Sequence, residues 1–398
     1  MTATTLFNTA PNFTRLSAIF CGLLAAITLL AFVESGVRLG LATLVGALAG
    51  FALYHAAFGF TAGWRRLIRE GRGGGFRAQL VLVGATTIFA IPLIAYGSSV
   101  GVQAGGFVFP FGAAVLAGAF MFGLGMQLGG GCGSGTLFTV GGGSTRMVIT
   151  LAFFIIGGVL ATYHWEFWQS LPRMNATALS TSFGPLGAVA GTLLVLGALW
   201  LASYAMERRR HGSVQGGKPM GSLINGPWSL TAGIIGLTAV GVLTLVVLGR
   251  PWGITSGLTL WGAQVAHQIG VPIEEWDYWR FAMDQVEASV FASGTSVMNL
   301  GLIAGAALAA AFAGKFAPKL NLSARDVATA VIGGLLMGYG ARIAYGCNIG
   351  ALLSGIASGS VHGWVWFAAA FLGSTLGVRL RALIGMDPPL EHAPATGK

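Results

Sequence analysis

Charge is what this 398-residue chain has least of. Only 9% of its residues are charged and 55% are hydrophobic, whereas a soluble globular chain carries about a quarter charged residues. Such a sequence cannot clothe a folded surface in charge, which excludes a water-soluble enzyme or binding domain. Acidic residues are scarcer than basic ones, 12 against 22, giving a net charge of +10. That excess does not point to nucleic acid, because the bases sit in short loops between apolar runs instead of forming one patch. Cysteine is nearly absent as well. All three cysteines lie in apolar segments, so there is no secreted disulfide framework, and no Cys or His pair has the spacing of a metal site. The glycine-rich stretches lack the lysine and the preceding strand of a phosphate loop. Neither a metal nor a cofactor is expected.

Glycine and long apolar runs are abundant instead. Sixty-four glycines suit closely packed membrane helices, and several runs reach the roughly 20 residues that a spanning helix needs. The expected fold is an all-α polytopic membrane protein with about ten spans, at 16–34, 38–58, 78–97, 107–127, 147–165, 184–206, 228–249, 290–313, 327–345 and 363–381. The first run lacks a small-residue cleavage site and reads as a retained helix. Basic clusters follow in the loops: Arg65, Arg66, Arg69, Arg72 and Arg77; Arg208 to Arg210 with Lys218; Lys315, Lys319 and Arg325; Arg379 with Arg381. The loop holding Glu274, Glu275, Asp277, Asp284 and Glu287 is acidic. Placing every basic cluster in the cytoplasm satisfies all ten spans and leaves both termini inside. Four leftover pieces, about 59–67, 133–143, 253–269 and 349–359, are too short to span. Irregular backbone survives at membrane depth only when protein or a wet cavity covers it, so these read as re-entrant half helices.

Two of the four contain the same device. "GGGCGSGTLFTVGGG" surrounds Cys132 and "AYGCNIGALLSGI" surrounds Cys347. Superposing the two cysteines puts Gly118 on Gly333, Gly123 on Gly338, Gly125 on Gly340, Gly131 on Gly346, Gly135 on Gly350 and Gly158 on Gly373 without a gap. Upstream, "FGFTAG" from Phe58 matches "WGITSG" from Trp252. The chain 1–398 is therefore expected to be one transport domain. Its halves cover about 38–165 and 228–381, and the linker helix 184–206 inverts the second relative to the first. Inverted repeats with broken helices place a solute site where the halves meet, near the midplane.

The chemistry of the two breaks suits an anion. A helix starting after each Gly-Cys turn leaves its first amides without intrahelical partners at the positive end of the dipole. Gly131, Gly133 and Gly346 allow close backbone approach. Ser134 adds a hydroxyl with Thr136 behind it, and Asn348 an amide. Cys132 and Cys347, as buried neutral thiols, present soft and weakly donating sulfur. A disulfide between the turns is the competing role for them. Cys21, in a plain apolar helix, suits either a small hydrophobic role or a share in the site. Arg342 is expensive in a span and is a binding candidate for that reason; Gln127 holds the matching position in the first half. His55 is a further candidate to line the path. Trp165, Trp168, Trp276, Tyr278 and Trp279 read as an interfacial belt.

The paired motifs on inverted halves resemble the YeeE/YedE family of bacterial inner-membrane transporters, over nearly the whole chain. The resemblance implies an hourglass-shaped protein with helices and short re-entrant loops, taking up thiosulfate or a related sulfur anion through a cysteine relay. Cys132 and Cys347 match the repeat-loop cysteines. A third relay cysteine is implied too, for which Cys21 is what remains. A small cytoplasmic sulfur-carrier protein is a candidate partner beside the lipid bilayer. The alternatives are a membrane thiol-redox or sulfur-transfer enzyme, and a transporter of a selenium compound or another small solute.

Overall fold

The computed structural model describes residues 14–217, 219–318 and 320–387; Lys218, Lys319 and both chain ends lie outside them. Its elements are almost all helical: α1 (Arg15–His55), α2 (Phe60–Glu70), α3 (Gly74–Tyr96), α4 (Ala113–Gly129), α5 (Gly133–Gly141), α6 (Thr145–Tyr163), α7 (Trp165–Ser170), α8 (Leu179–His211), α9 (Leu230–Leu248), α10 (Ile254–Gln268), α11 (Met283–Glu287), α12 (Gly294–Phe312), α13 (Ala324–Ile343) and α14 (Val361–Leu383). A π-helical segment, Asn348–Gly355, stands between the last two. Among the described residues the one sheet pairs Phe111–Gly112 with Arg173–Met174. Among the described residues nine helices are long and apolar enough to cross a membrane, as befits an all-α, multi-pass membrane protein.

The expected spans 16–34 and 38–58 are the two arms of α1, which part at Gly36, non-helical at φ 79°, ψ −178°. That backbone conformation is open to glycine and closed to nearly everything else. The arms fold toward one another, since a Cβ on Gly40 would sit 3.2 Å from the Phe32 Cβ. The two apolar runs in the sequence are thus two helical arms joined at one glycine. Two other boundaries moved. The expected 107–127 span becomes helical only at Ala113, after a stretch containing three glycines and Pro110 that runs without helix. The linker helix starts where expected, at the non-helical Gly184 (preceded by a short helical turn from Leu179), and runs past 206 to His211.

Glycine sets the closest helix contacts. A Cβ on Gly46 or Gly50 of α1 would collide with the carbonyls of Met298 and Leu302 in α12, and one on Gly301 or Gly305 of α12 with those of Thr43 and Ala47. Both helices carry glycines four apart, the spacing that lets membrane helices pack backbone to backbone. Gly123 of α4 meets Ala370 of α14, and Gly338 of α13 meets Phe154 of α6, in the same manner. The pairs α1–α12, α13–α6, α4–α14 and α13–α4 are the most extensive helix contacts among the described residues. They enclose the four short pieces, α2, α5, α10 and the π segment.

Candidate functional site

The first break is built by glycine. α4 ends on Gly130 at φ 94°, a left-handed residue that turns the chain out of the helix. Gly131 follows, where a side chain would meet the Met147 methyl group at 2.9 Å. Cys132 then caps α5: its Sγ accepts from the Gly135 amide at 3.4 Å and lies 3.5 Å from the Ser134 hydroxyl. The first intrahelical bond runs from Thr136 N to Cys132 O (2.8 Å), so the amides of Gly133 and Ser134 precede the ladder.

The second break repeats this with different residues. Tyr345 takes the left-handed position (φ 58°) that Gly130 holds in the first, and Gly346 follows at φ 154°. A left-handed tyrosine costs on the order of 1 kcal/mol or more. Its ring is held by stacking on Phe109, 4.8 Å away at 9°, and its hydroxyl donates to Gln169. The amides of Ala351 and Leu352 both donate to Cys347 O, which widens the first turn into the π form. The α5 described here and the π segment therefore present different N-terminal geometries to the space between them.

The two breaks meet. A Cβ on Gly133 would lie 3.1 Å from Cys347 Sγ and 3.6 Å from the Thr255 methyl, so the second thiol rests against the first residue of α5. Cys132 and Cys347 are both buried and unpaired. The meeting of the turns that a disulfide required is present, while the sulfurs stay free.

Buried polar atoms are nearly always hydrogen-bonded, and this site breaks that rule. Asn348 is fully buried beside Cys347, and neither its Nδ2 nor its Oδ1 has a partner among the described residues. The Thr61 hydroxyl and Gln127 Oε1, also buried, are unpartnered too. Gln127 Nε2 donates to Thr61 O at 3.3 Å, which puts those two side by side at the end of α4. Guanidinium groups brace that helix end: Arg146 donates to the carbonyls of Leu128 and Gly129, 2.8 Å each, and Arg381 to that of Gln127 at 2.7 Å. Cations there oppose the negative end of the α4 dipole.

Two expected residues are elsewhere. Arg342 lies over the rings of Tyr278 (4.9 Å) and Trp165 (5.7 Å), a cation–π cage built from part of the expected aromatic belt. Its Nε is buried without a partner. Cys21 is half-buried in an apolar groove between the arms of α1, among Leu24, Thr28, Leu41 and Leu44; no residue of either break lines that groove. His55 stacks on Trp228 and meets Phe51 edge-on.

Three residues that sequence reasoning passed over, Gln79, Asn299 and Thr255, shape the site. Gln79 Nε2 reaches the carbonyls of Gly59 and Phe60 while its Oε1 accepts from Trp64 Nε1 at 2.8 Å. In the second half Asn299 Nδ2 reaches the Ile254 carbonyl at 2.9 Å and its Oδ1 accepts from Trp252 Nε1 at 3.2 Å. Each amide clamps the start of a short helix, α2 or α10. The last glycines of the two Gly-x-Thr motifs, Gly63 and Gly257, make room for these amides, because a Cβ would crowd Gln79 Nε2 in one and Asn299 Nδ2 in the other. A lone Gln or Asn near an apolar run was the available signal. Thr255, against Gly133 and Cys347, was visible only as part of the repeated motif.

Residues 55–376 match the family model described as Sulphur transport. The chain belongs to this Sulphur transport family. Among its relatives, the Escherichia coli protein named probable transporter YedE is 34% identical over 155 residues, 38% of each chain. The E. coli thiosulfate transporter TsuA is 28% identical over 352 residues, 82% of this chain and 90% of that one. The TsuA of Spirochaeta thermophila is 28% identical over 254 residues, 62% and 71% respectively. The match therefore spans well under half of YedE but nearly all of E. coli TsuA. Both Gly-Cys breaks and all four short pieces fall inside the Sulphur transport match, which begins at His55.

Proposed function

We propose that this Sulphur transport protein moves a sulfur-containing anion, thiosulfate foremost, across the bacterial inner membrane into the cytoplasm. The observation that carries the reading is Asn348. A fully buried amide with both ends unsatisfied costs roughly 1–3 kcal/mol per group, a cost that a passing oxyanion or its water relieves. Beside that amide stand the Cys347 thiol, the Cys132–Ser134 pair and the leading amides of α5. All are donors without full charge, which suits a site that must bind and then release. The names of the TsuA relatives support thiosulfate as the substrate.

The two halves act as inverted repeats in this reading, with α5 entering from the cytoplasmic side and the π segment from the outer side. Neutral thiols hand the ion from Cys347 to Cys132 by S–H donation, with Gly131, Gly133 and Gly346 keeping the backbone accessible. Arg342 in its aromatic cage attracts the ion on the outer side. Cys21, in its separate groove, takes no part. Both termini face the cytoplasm, where a small sulfur-carrier protein is the partner that receives the ion.

Uptake of labelled thiosulfate into cells using it as sole sulfur source tests the proposal. Cys132→Ala and Cys347→Ala are each expected to reduce uptake at least tenfold, with Cys→Ser retaining a part of it because a hydroxyl still donates. Normal uptake in both alanine variants removes the relay. Complete loss in serine variants that bind thiosulfate normally favours covalent sulfur chemistry instead.

A further inference from the structure

The relay leaves one concentration of charge unused, at the α4 end that carries Gln127. Arg381, in the last turn of α14, is 7% exposed. Its Nη1 donates to Gln127 O, and its other two nitrogens grip the carboxylate of Asp387: Nε at 3.1 and 3.0 Å from the two oxygens, Nη2 at 2.7 Å from Oδ1. Arg69 of α2 stands 3.9 Å from Asp387 Oδ2, and the charge of Arg65 acts on the same carboxylate. The turn carrying Asp387 is pinned in place, since Arg325 donates to the carbonyls of Ile384 and Gly385. Burial alone would raise the Asp387 pKa, but the hydrogen bonds and charge of Arg381, with the charges of Arg65 and Arg69, bring it below the ordinary carboxylate value.

Three guanidiniums around one buried carboxylate form the donor set that recognises a planar or tetrahedral oxyanion. One of them is not spent on the carboxylate: Arg65, half-buried, makes no hydrogen bond among the described residues. Two buried unpartnered atoms belong to residues tied to this cluster: Gln127 Oε1, on the residue whose carbonyl Arg381 holds, and the hydroxyl of Thr61, whose carbonyl accepts from Gln127. Thr61 is one helical turn before Arg65 on α2, and Gln127 is in the turn of α4 that leads into the Cys132 break. Two unsatisfied polar atoms therefore sit on residues that belong both to the approach to the Gly-Cys break and to the arginine cluster.

We propose that Arg65, Arg69 and Arg381 form a second oxyanion site at the inner mouth of the pathway, held in this structure by the Asp387 carboxylate, which an arriving sulfur oxyanion displaces. The identity of the anion rests on the transport reading; the site itself does not. A dianion gains more from three guanidiniums than the single charge of Asp387 does.

The test is thermal unfolding of the full-length protein in detergent, with sodium thiosulfate or with sodium chloride at equal ionic strength. Asp387→Asn is expected to unfold at a lower temperature than wild type. Thiosulfate should recover most of that loss in the variant, a larger shift than in wild type, and chloride should not. Adding Arg65→Gln to Asp387→Asn should abolish the recovery. Adding Cys347→Ala should leave it intact while uptake is lost, so failure of the relay and failure of this site are read separately. Asp387→Asn gaining no more from thiosulfate than wild type, or equally from chloride, overturns the proposal and leaves a structural ion pair. So does a recovery that disappears with Cys347→Ala. Should Asp387→Asn not fold, Arg65→Gln alone decides: uptake is expected to fall severalfold, and unchanged uptake overturns the site.

Discussion

Asn348→Leu separates binding from folding. The native side chain is fully buried with two unpartnered polar ends, a penalty of about 1–3 kcal/mol for each. Leucine has nearly the same skeleton and no polar atoms, and burying it contributes about 1.5–3 kcal/mol relative to exposure. The backbone bonds from Ala351 and Leu352 to Cys347 O do not involve the side chain, so the π turn survives. Allowing about 1–3 kcal/mol for imperfect fit, the variant should be as stable as wild type or more so. Binding moves the other way. Losing one hydrogen bond to a charged ligand removes about 1.5–3 kcal/mol, and each 1.4 kcal/mol is about tenfold, so thiosulfate affinity should drop roughly 10- to 100-fold. Thermal unfolding without ligand and thiosulfate titration of the purified protein measure the two quantities. A variant that is clearly less stable yet binds thiosulfate with unchanged affinity would refute the reasoning, because Asn348 would then be a satisfied structural residue.

Gly133→Ala probes the meeting of the breaks. The new methyl lies 3.1 Å from Cys347 Sγ and 3.4 Å from its Cβ, tight by a few tenths of an ångström, while alanine gains about 0.8–1 kcal/mol over glycine in a helix. Stability should hold within about 1 kcal/mol and thiosulfate uptake should fall tenfold or more; Gly135→Ala, whose only close neighbour is Cys132 Sγ at 3.4 Å, should lose less. Gly338→Ala attacks the fold instead, because its Cβ would strike the Phe154 carbonyl and come within 2.8 Å of the Gly158 amide. Backbone cannot yield as a side chain does, so α13 and α6 must separate, and the folded yield in size-exclusion chromatography should drop severalfold. Gly191→Ala, with nothing within 4 Å, should express normally.

Composition and spacing determined much of this protein. Membrane residence follows from a chain with 9% charge, since no arrangement of it makes a wettable surface. The four short pieces were legible because a break in an apolar run is local: the glycines of the Gly-x-Thr and Gly-Cys motifs end helices wherever they fold. The matched cysteines and their flanking glycines were legible because a repeat is written in the sequence itself.

What depended on neighbours distant in the chain was not legible. That Cys347 rests on Gly133 and that Asn348 has no partner are facts about several helices at once. Arg342 has an expensive charge in any reading, but only the packing of α7 and the loop with Tyr278 against α13 shows that rings cover it. Cys21 looked equivalent to the other two cysteines in type and lies apart because α1 bends at Gly36, sending its first arm to the outside of the bundle. Gln79 and Asn299 were single amides in apolar surroundings until the fold brought a helix start to each. A sequence states which groups are costly to bury, and the tertiary structure decides which of them find a partner and which are left for a ligand.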